Sequence, residues 1–185
     1  ADGPRLLRAE VLSVVEPGPH RRPDGDVCPR ALDGSCGGCD WPALRLDSHG
    51  ALKEELVRDA LRRIGRVPDE ELPPVRFVPS PRSYRLRSRL RWDGQGALGF
   101  LGRASARVSD LETCEVVSEA LLARLPAVRE ALLSTGAPAC ELQTLEGRDG
   151  APLLGELRFE RPVPAPERIA GALHGPLDGV RVVAA

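Results

Sequence analysis

Residues 17–47 contain no run of apolar residues at helical or strand spacing, although better-patterned segments flank them on both sides. A loop this long is uncommon in a compact domain unless something other than an apolar core orders it, and a metal centre is one such agent. Three of the chain's five cysteines, Cys28, Cys36 and Cys39, fall inside the loop; Cys114 and Cys140 come later. An odd number of cysteines argues against a disulfide framework and for a reducing, cytoplasmic setting. The opening "ADGPRLLRAEV" has no apolar signal region, and no run approaches the roughly 18 apolar residues of a membrane helix.

The spacing of the three loop cysteines is C-x7-C-x2-C. A two-residue spacer lets both thiolates of "CGGC" converge on one metal or cluster. Gly37 and Gly38 between them permit positive φ and let backbone N–H groups reach the sulfurs. A thioredoxin-like redox pair would sit at a helix N-terminus after a βαβ strand, and no such strand precedes this loop. Structural zinc and an iron–sulfur cluster both remain open, since spacing does not separate them. Either needs a fourth ligand, for which Cys114, Cys140, His20 and His49 are the candidates.

Along the chain, "LLRAEVLSVVE" (6–16) reads as a strand ended by "PGP". Leu52, Leu56, Val57, Ala60, Leu61 and Ile64 recur at helical spacing and predict an amphipathic helix over 48–64. Asp47 or Ser48 would cap it, Gly65 would occupy C′, and Pro68 bars continuation. From residue 84 the period becomes two: "YRLRSRLRW" sets Tyr84, Leu86, Ser88, Leu90 and Trp92 against Arg85, Arg87, Arg89 and Arg91. "ALGFLG" and "ARVSDL" follow as short strands after a "DGQG" turn. A helix over 117–134, kinked at Pro126, precedes a hairpin turning at "GRDG". A short helix near 166–174 and a strand "GVRVVAA" complete an α+β pattern with a mostly antiparallel sheet.

The net charge of −1 conceals a segregation. Residues 76–107 carry eight arginines against one acid, while residues 108–160 carry ten acids against four arginines. Arginines aligned on one strand face repel one another unless acids or phosphates neutralise them. Two readings follow: a solvated face paired with the acidic half of the same domain, or contact with an RNA backbone. Tyr84 and Trp92 point to the opposite, core face, and Trp41 would shield the cysteine site.

Four motifs in order, "CPRALDGSCGGCDW", the helix after it, "YRLRSRLRW" and "LGFLGRASARVSDLETCEVV", resemble the iron–sulfur branch of the SAM-dependent RNA (uracil-5-)-methyltransferases. The resemblance spans about residues 28–130 and includes a late Asp-x-x-x-Cys segment, here Asp110 and Cys114. It implies that Cys28, Cys36, Cys39 and Cys114 hold a [4Fe-4S] cluster, leaving Cys140 as a buried small hydrophobe. It implies RNA, ribosomal or transfer, as the partner of Arg85, Arg87, Arg89 and Arg91, for a monomer with neither DNA nor a membrane as partner.

On this resemblance the chain divides into four parts. Residues 1–19 are the terminal strand of a truncated OB-like RNA-binding domain. Residues 20–73 are the cluster loop and its helix, packed on the sheet domain. Residues 74–175 form a central α+β RNA-contacting domain, and 176–185 lead toward a Rossmann-like methyltransferase domain. The family's S-adenosylmethionine loop, nucleophilic cysteine and general base belong to that last domain. No G-x-G-x-x-G follows a strand here and no cysteine follows Cys140, so no catalytic residue is expected in this stretch. The expectation is therefore the recognition part of an enzyme making 5-methyluridine in rRNA or tRNA, a fragment or a degenerate relative. The alternative is a stand-alone RNA-binding module stapled by iron–sulfur or zinc.

Overall fold

The computed structural model describes residues 11–184. Six strands form one sheet in the order β3-β2-β1-β4-β5-β6. The strands are β1 (Arg87–Trp92), β2 (Leu98–Leu101), β3 (Val108–Asp110), β4 (Cys140–Glu146), β5 (Leu153–Phe159) and β6 (Gly179–Ala184). Every neighbouring pair is antiparallel except β5–β6, which is parallel. Helices α1 (Pro29–Leu32) and α2 (His49–Arg63) precede the sheet. Helix α3 (Glu119–Thr135) lies between β3 and β4, and α4 (Pro166–Leu173) makes the crossover that a parallel β5–β6 pair requires.

The period-two pattern of β1 is realised in alternating burial: Ser88, Leu90 and Trp92 are buried, while Arg87 and Arg89 are exposed and Arg91 is half-buried. Leu90 and Trp92 meet Leu142 and Cys140 across the β1–β4 ladder. Leu121, Leu125, Val128 and Leu132 of α3, with Ile169 and Leu173 of α4, cover this inner face. The Trp92 indole N–H donates to the Ala137 carbonyl at 2.9 Å, so the buried ring leaves no orphan donor. Ser118 caps α3 by accepting from the Leu121 N–H, and Gly136 ends it in the left-handed conformation at φ 64°. The helix runs through Pro126, which sits on its exposed side.

Gly99, in the "LGF" segment, is there for space. A Cβ on it would stand 1.8 Å from the Ser109 carbonyl oxygen of β3. Asp110 then locks the same corner, accepting from the Leu98 N–H at 2.9 Å and from Arg129 Nε of α3 at 2.8 Å.

Three expectations are corrected. Residues 11–16 join no strand, and Val11, Leu12 and Val15 lie largely exposed; the rest of the strand expected over 6–16 lies outside the described residues. Helix α2 forms with nearly the expected bounds but buries none of its residues, so it is not packed on the sheet. Leu56, Val57 and Ile64 on its apolar face are 53%, 46% and 83% exposed. Tyr84 is not core either, at 45% exposed. The β1–β4 ladder ends at Arg87–Leu145, and residues 83 and 85 bond instead to the carbonyls of Glu115 and Val116.

Candidate functional site

The cysteine loop is tied to the sheet before any metal is considered. The Gly37 N–H donates to the Leu101 carbonyl at 2.9 Å, and the Arg103 N–H to the Gly34 carbonyl at 3.1 Å. These bonds seat the "CGGC" turn against the end of β2 and the turn after it. Gly37 takes part through its missing side chain, since a Cβ there would lie 3.2 Å from the Leu101 oxygen. Neither Gly37 nor Gly38 has positive φ, so the turn uses the glycines for close approach and not for left-handed backbone. The amide-to-sulfur contact is present: the Gly38 N–H donates to Cys36 Sγ at 3.4 Å.

Two ion pairs span the sequence gap between the loop and the segment after β3. Arg22 forks onto Glu115 at 2.7 and 3.1 Å, and Arg30 of α1 reaches Glu112 at 3.0 Å. These pairs bracket Cys114. Nothing local in the sequence marks Arg22 or Arg30 for this work, because their partners lie more than 80 positions away.

The four cysteines named by the resemblance are electrostatic neighbours. Burial pushes the Cys39 thiol up, and the sulfurs of Cys114, Cys36 and Cys28 push the same way, while the Arg85 guanidinium opposes them. All four are half-buried and free of disulfides. Among the described residues, however, no three His, Cys, Asp or Glu side chains are gathered so as to hold a metal ion. Of the other candidates for a fourth ligand, His20 Nδ1 is 3.0 Å from Ser48 Oγ, and His49 lies against the Trp41 ring with centroids 5.7 Å apart, its buried Nε2 having no hydrogen-bond partner among the described residues. Cys140 faces the inner core, where burial pushes its thiol up to about 12. Trp41 therefore packs towards α2.

The arginines of 85–91 do not share one environment. Arg89 and Arg91 both approach Glu141 on β4, at 3.4 and 3.1 Å, so one carboxylate serves two cations. Arg85 is half-buried, with its guanidinium 5.6 Å from the centre of the Phe100 ring. Arg87 is exposed and forms no ion pair among the described residues. The solvated-face reading thus accounts for part of the set, while the Arg85 guanidinium is close enough to act on the Cys39 thiol. Further along the same sheet face, Arg158 and Arg181 both pair with Glu156 on β5.

A cleft of about 660 Å³ lies where the cysteine loop meets this arginine face, with Gly37, Gly38, Arg89, Arg91, Phe100 and Arg103 among its walls. Sequence reasoning missed Arg103. Its position in a turn gives no periodic signal, and only the loop docking brings it beside Arg89 and Arg91.

No protein-family model matches the chain. Over 132 residues, 69% of this chain, it is 32% identical to a protein named an uncharacterized RNA methyltransferase of Thermosynechococcus vestitus. Over 102 residues, 51% of this chain, it is 41% identical to the 23S rRNA (uracil(1939)-C(5))-methyltransferase RlmD of Methylococcus capsulatus. These alignments cover 28% and 22% of the two relatives, so the chain spans less than a third of their length. Among solved structures, that of Pyrococcus abyssi tRNA (uracil-54, C5)-methyltransferase in complex with S-adenosyl-L-homocysteine superposes with a TM-score of 0.51 at 19% identity. The superposition covers 85% of this chain and 37% of that one, a likeness of fold.

Proposed function

We propose that this chain, which is related in sequence to a segment of the RNA uracil-C5 methyltransferases, is the RNA-recognition portion of such an enzyme. The observation that carries the reading is the 41% identity to the ribosomal RNA methyltransferase over 102 residues, 51% of this chain. The enzyme's S-adenosylmethionine chemistry would reside outside this stretch, which contains no glycine-rich loop after a strand and no cysteine after Cys140.

Cys28, Cys36, Cys39 and Cys114 would hold a [4Fe-4S] cluster. Two observations support this set: the charges of Cys114, Cys36 and Cys28 act on the Cys39 thiol, and an amide is already directed at Cys36 Sγ, although the four side chains are not gathered to metal-holding distance in this structure. When bound, the cluster supplies a covalent tie between the loop and the segment after β3. Arg22–Glu115 and Arg30–Glu112 hold that same closure without metal. The chain's own contribution is therefore to position: the loop is fixed against β2, and the arginine face is held at its edge.

RNA binding tests the reading. Replacing Arg87 and Arg89 with glutamine is expected to weaken binding of a single-stranded RNA and to lower its salt slope by about 0.7 for each phosphate no longer neutralised. An unchanged slope would assign both residues to the solvated face.

A further inference from the structure

We infer that the cleft between the cysteine loop and the outer face of β1–β2 is a binding site for an RNA phosphodiester, with Arg89, Arg91 and Arg103 as its anion ligands. The inference rests on the RNA-recognition reading and narrows it from a strand face to one cleft. Three guanidinium groups line the cavity, and the acids that face them are Asp40 on the loop and Glu141 on β4. Glu141 is shared between Arg89 and Arg91, and its side chain is only 11% exposed. It therefore fixes the orientation of both cations while neutralising one charge. Arg103 has a weaker hold: one terminal nitrogen donates to the Cys39 carbonyl at 3.4 Å, and no carboxylate pairs with it among the described residues.

The cleft is thus left with a positive surplus and with donor forks that have unused N–H groups. A phosphodiester brings one negative charge and two acceptor oxygens, which suit bidentate guanidinium binding. Phe100 gives the cavity an apolar wall, with the Arg85 guanidinium near its ring. A sugar or base attached to the phosphate can rest there. The walls are preorganised, because the Gly37–Leu101 and Arg103–Gly34 backbone bonds join the loop to the strand across the cleft floor.

The test compares the full chain with Arg103→Gln, Arg103→Lys and an Arg158→Gln/Arg181→Gln control from the same sheet face outside the cleft. Each is titrated with a fluorescent single-stranded oligouridylate across a range of salt, alongside the DNA oligomer of the same length. R103Q is expected to weaken RNA binding about tenfold and to lower the salt slope by about 0.7. R103K should recover the slope but only part of the affinity, because the charge returns without the fork. The control should match the parent, and all four proteins should share one thermal midpoint, since these arginines are largely exposed. Parent binding that R103Q leaves unchanged would overturn the cleft while leaving RNA recognition standing. Failure of the parent to bind RNA in preference to DNA would overturn the recognition reading itself.

Discussion

Gly99 shows how a single atom decides a strand pair. The Ser109 carbonyl occupies the place a Cβ would need, so Gly99→Ala must push β3 away from β2. We expect a loss of about 2 kcal/mol or more in urea unfolding; a change under about 0.5 kcal/mol would show that β3 yields easily. In the sequence this glycine was legible only as part of a motif, whereas its cause, a carbonyl ten residues on, was not. Cys140 was legible for the opposite reason. Its place in an alternating strand already put it indoors, and burial there keeps its thiol protonated. Arg103 and Arg22 could not be found at this scale, since each owes its role to a partner that the fold brings from far along the chain.

Elements with an internal period were the readable ones. The arginine strand, the β4–β5 hairpin and α3 each carry their pattern within one window, and each forms close to the expected bounds. Helix α2 is the instructive failure: its apolar face predicts a helix correctly but says nothing about whether a surface is there to receive it. Asp178 illustrates a tie between elements. It accepts from the Leu153 N–H of β5 at 2.6 Å and from Arg124 of α3 at 3.0 Å, and these donors hold its carboxyl below the usual carboxylate value. A folded-state value below the unfolded one adds stability that is complete above the unfolded value. That stability is lost as pH falls through the folded one. Asp178→Asn should therefore reduce the fall in unfolding free energy between pH 6 and pH 3, measured by urea titration. An identical fall in both proteins would remove Asp178 from the acid response.

At the scale of the whole molecule, a two-layer sheet domain presents one face to its own helices and a largely exposed arginine face on the other side, with the cysteine loop docked at the end of β2. The neutral total charge hides this division, as does the order of the motifs, which places Cys114 some 75 residues from the loop it faces. A cluster over that span would remove much conformational freedom from the unfolded chain, whereas the ion pairs act only in the folded one. The segregated arginines make sense in this setting. Glu141 quiets part of the face, and the remainder gathers at the edge where the loop docks. The most direct measurement is iron and acid-labile sulfide in the anaerobically purified chain, compared with Cys114→Ser and Cys140→Ser. We predict a brown parent with about four of each per chain, the same in C140S, and loss of most of both in C114S. A colourless parent with stoichiometric zinc, or a C114S protein that keeps its iron, would overturn the assignment of the four cysteines to a cluster.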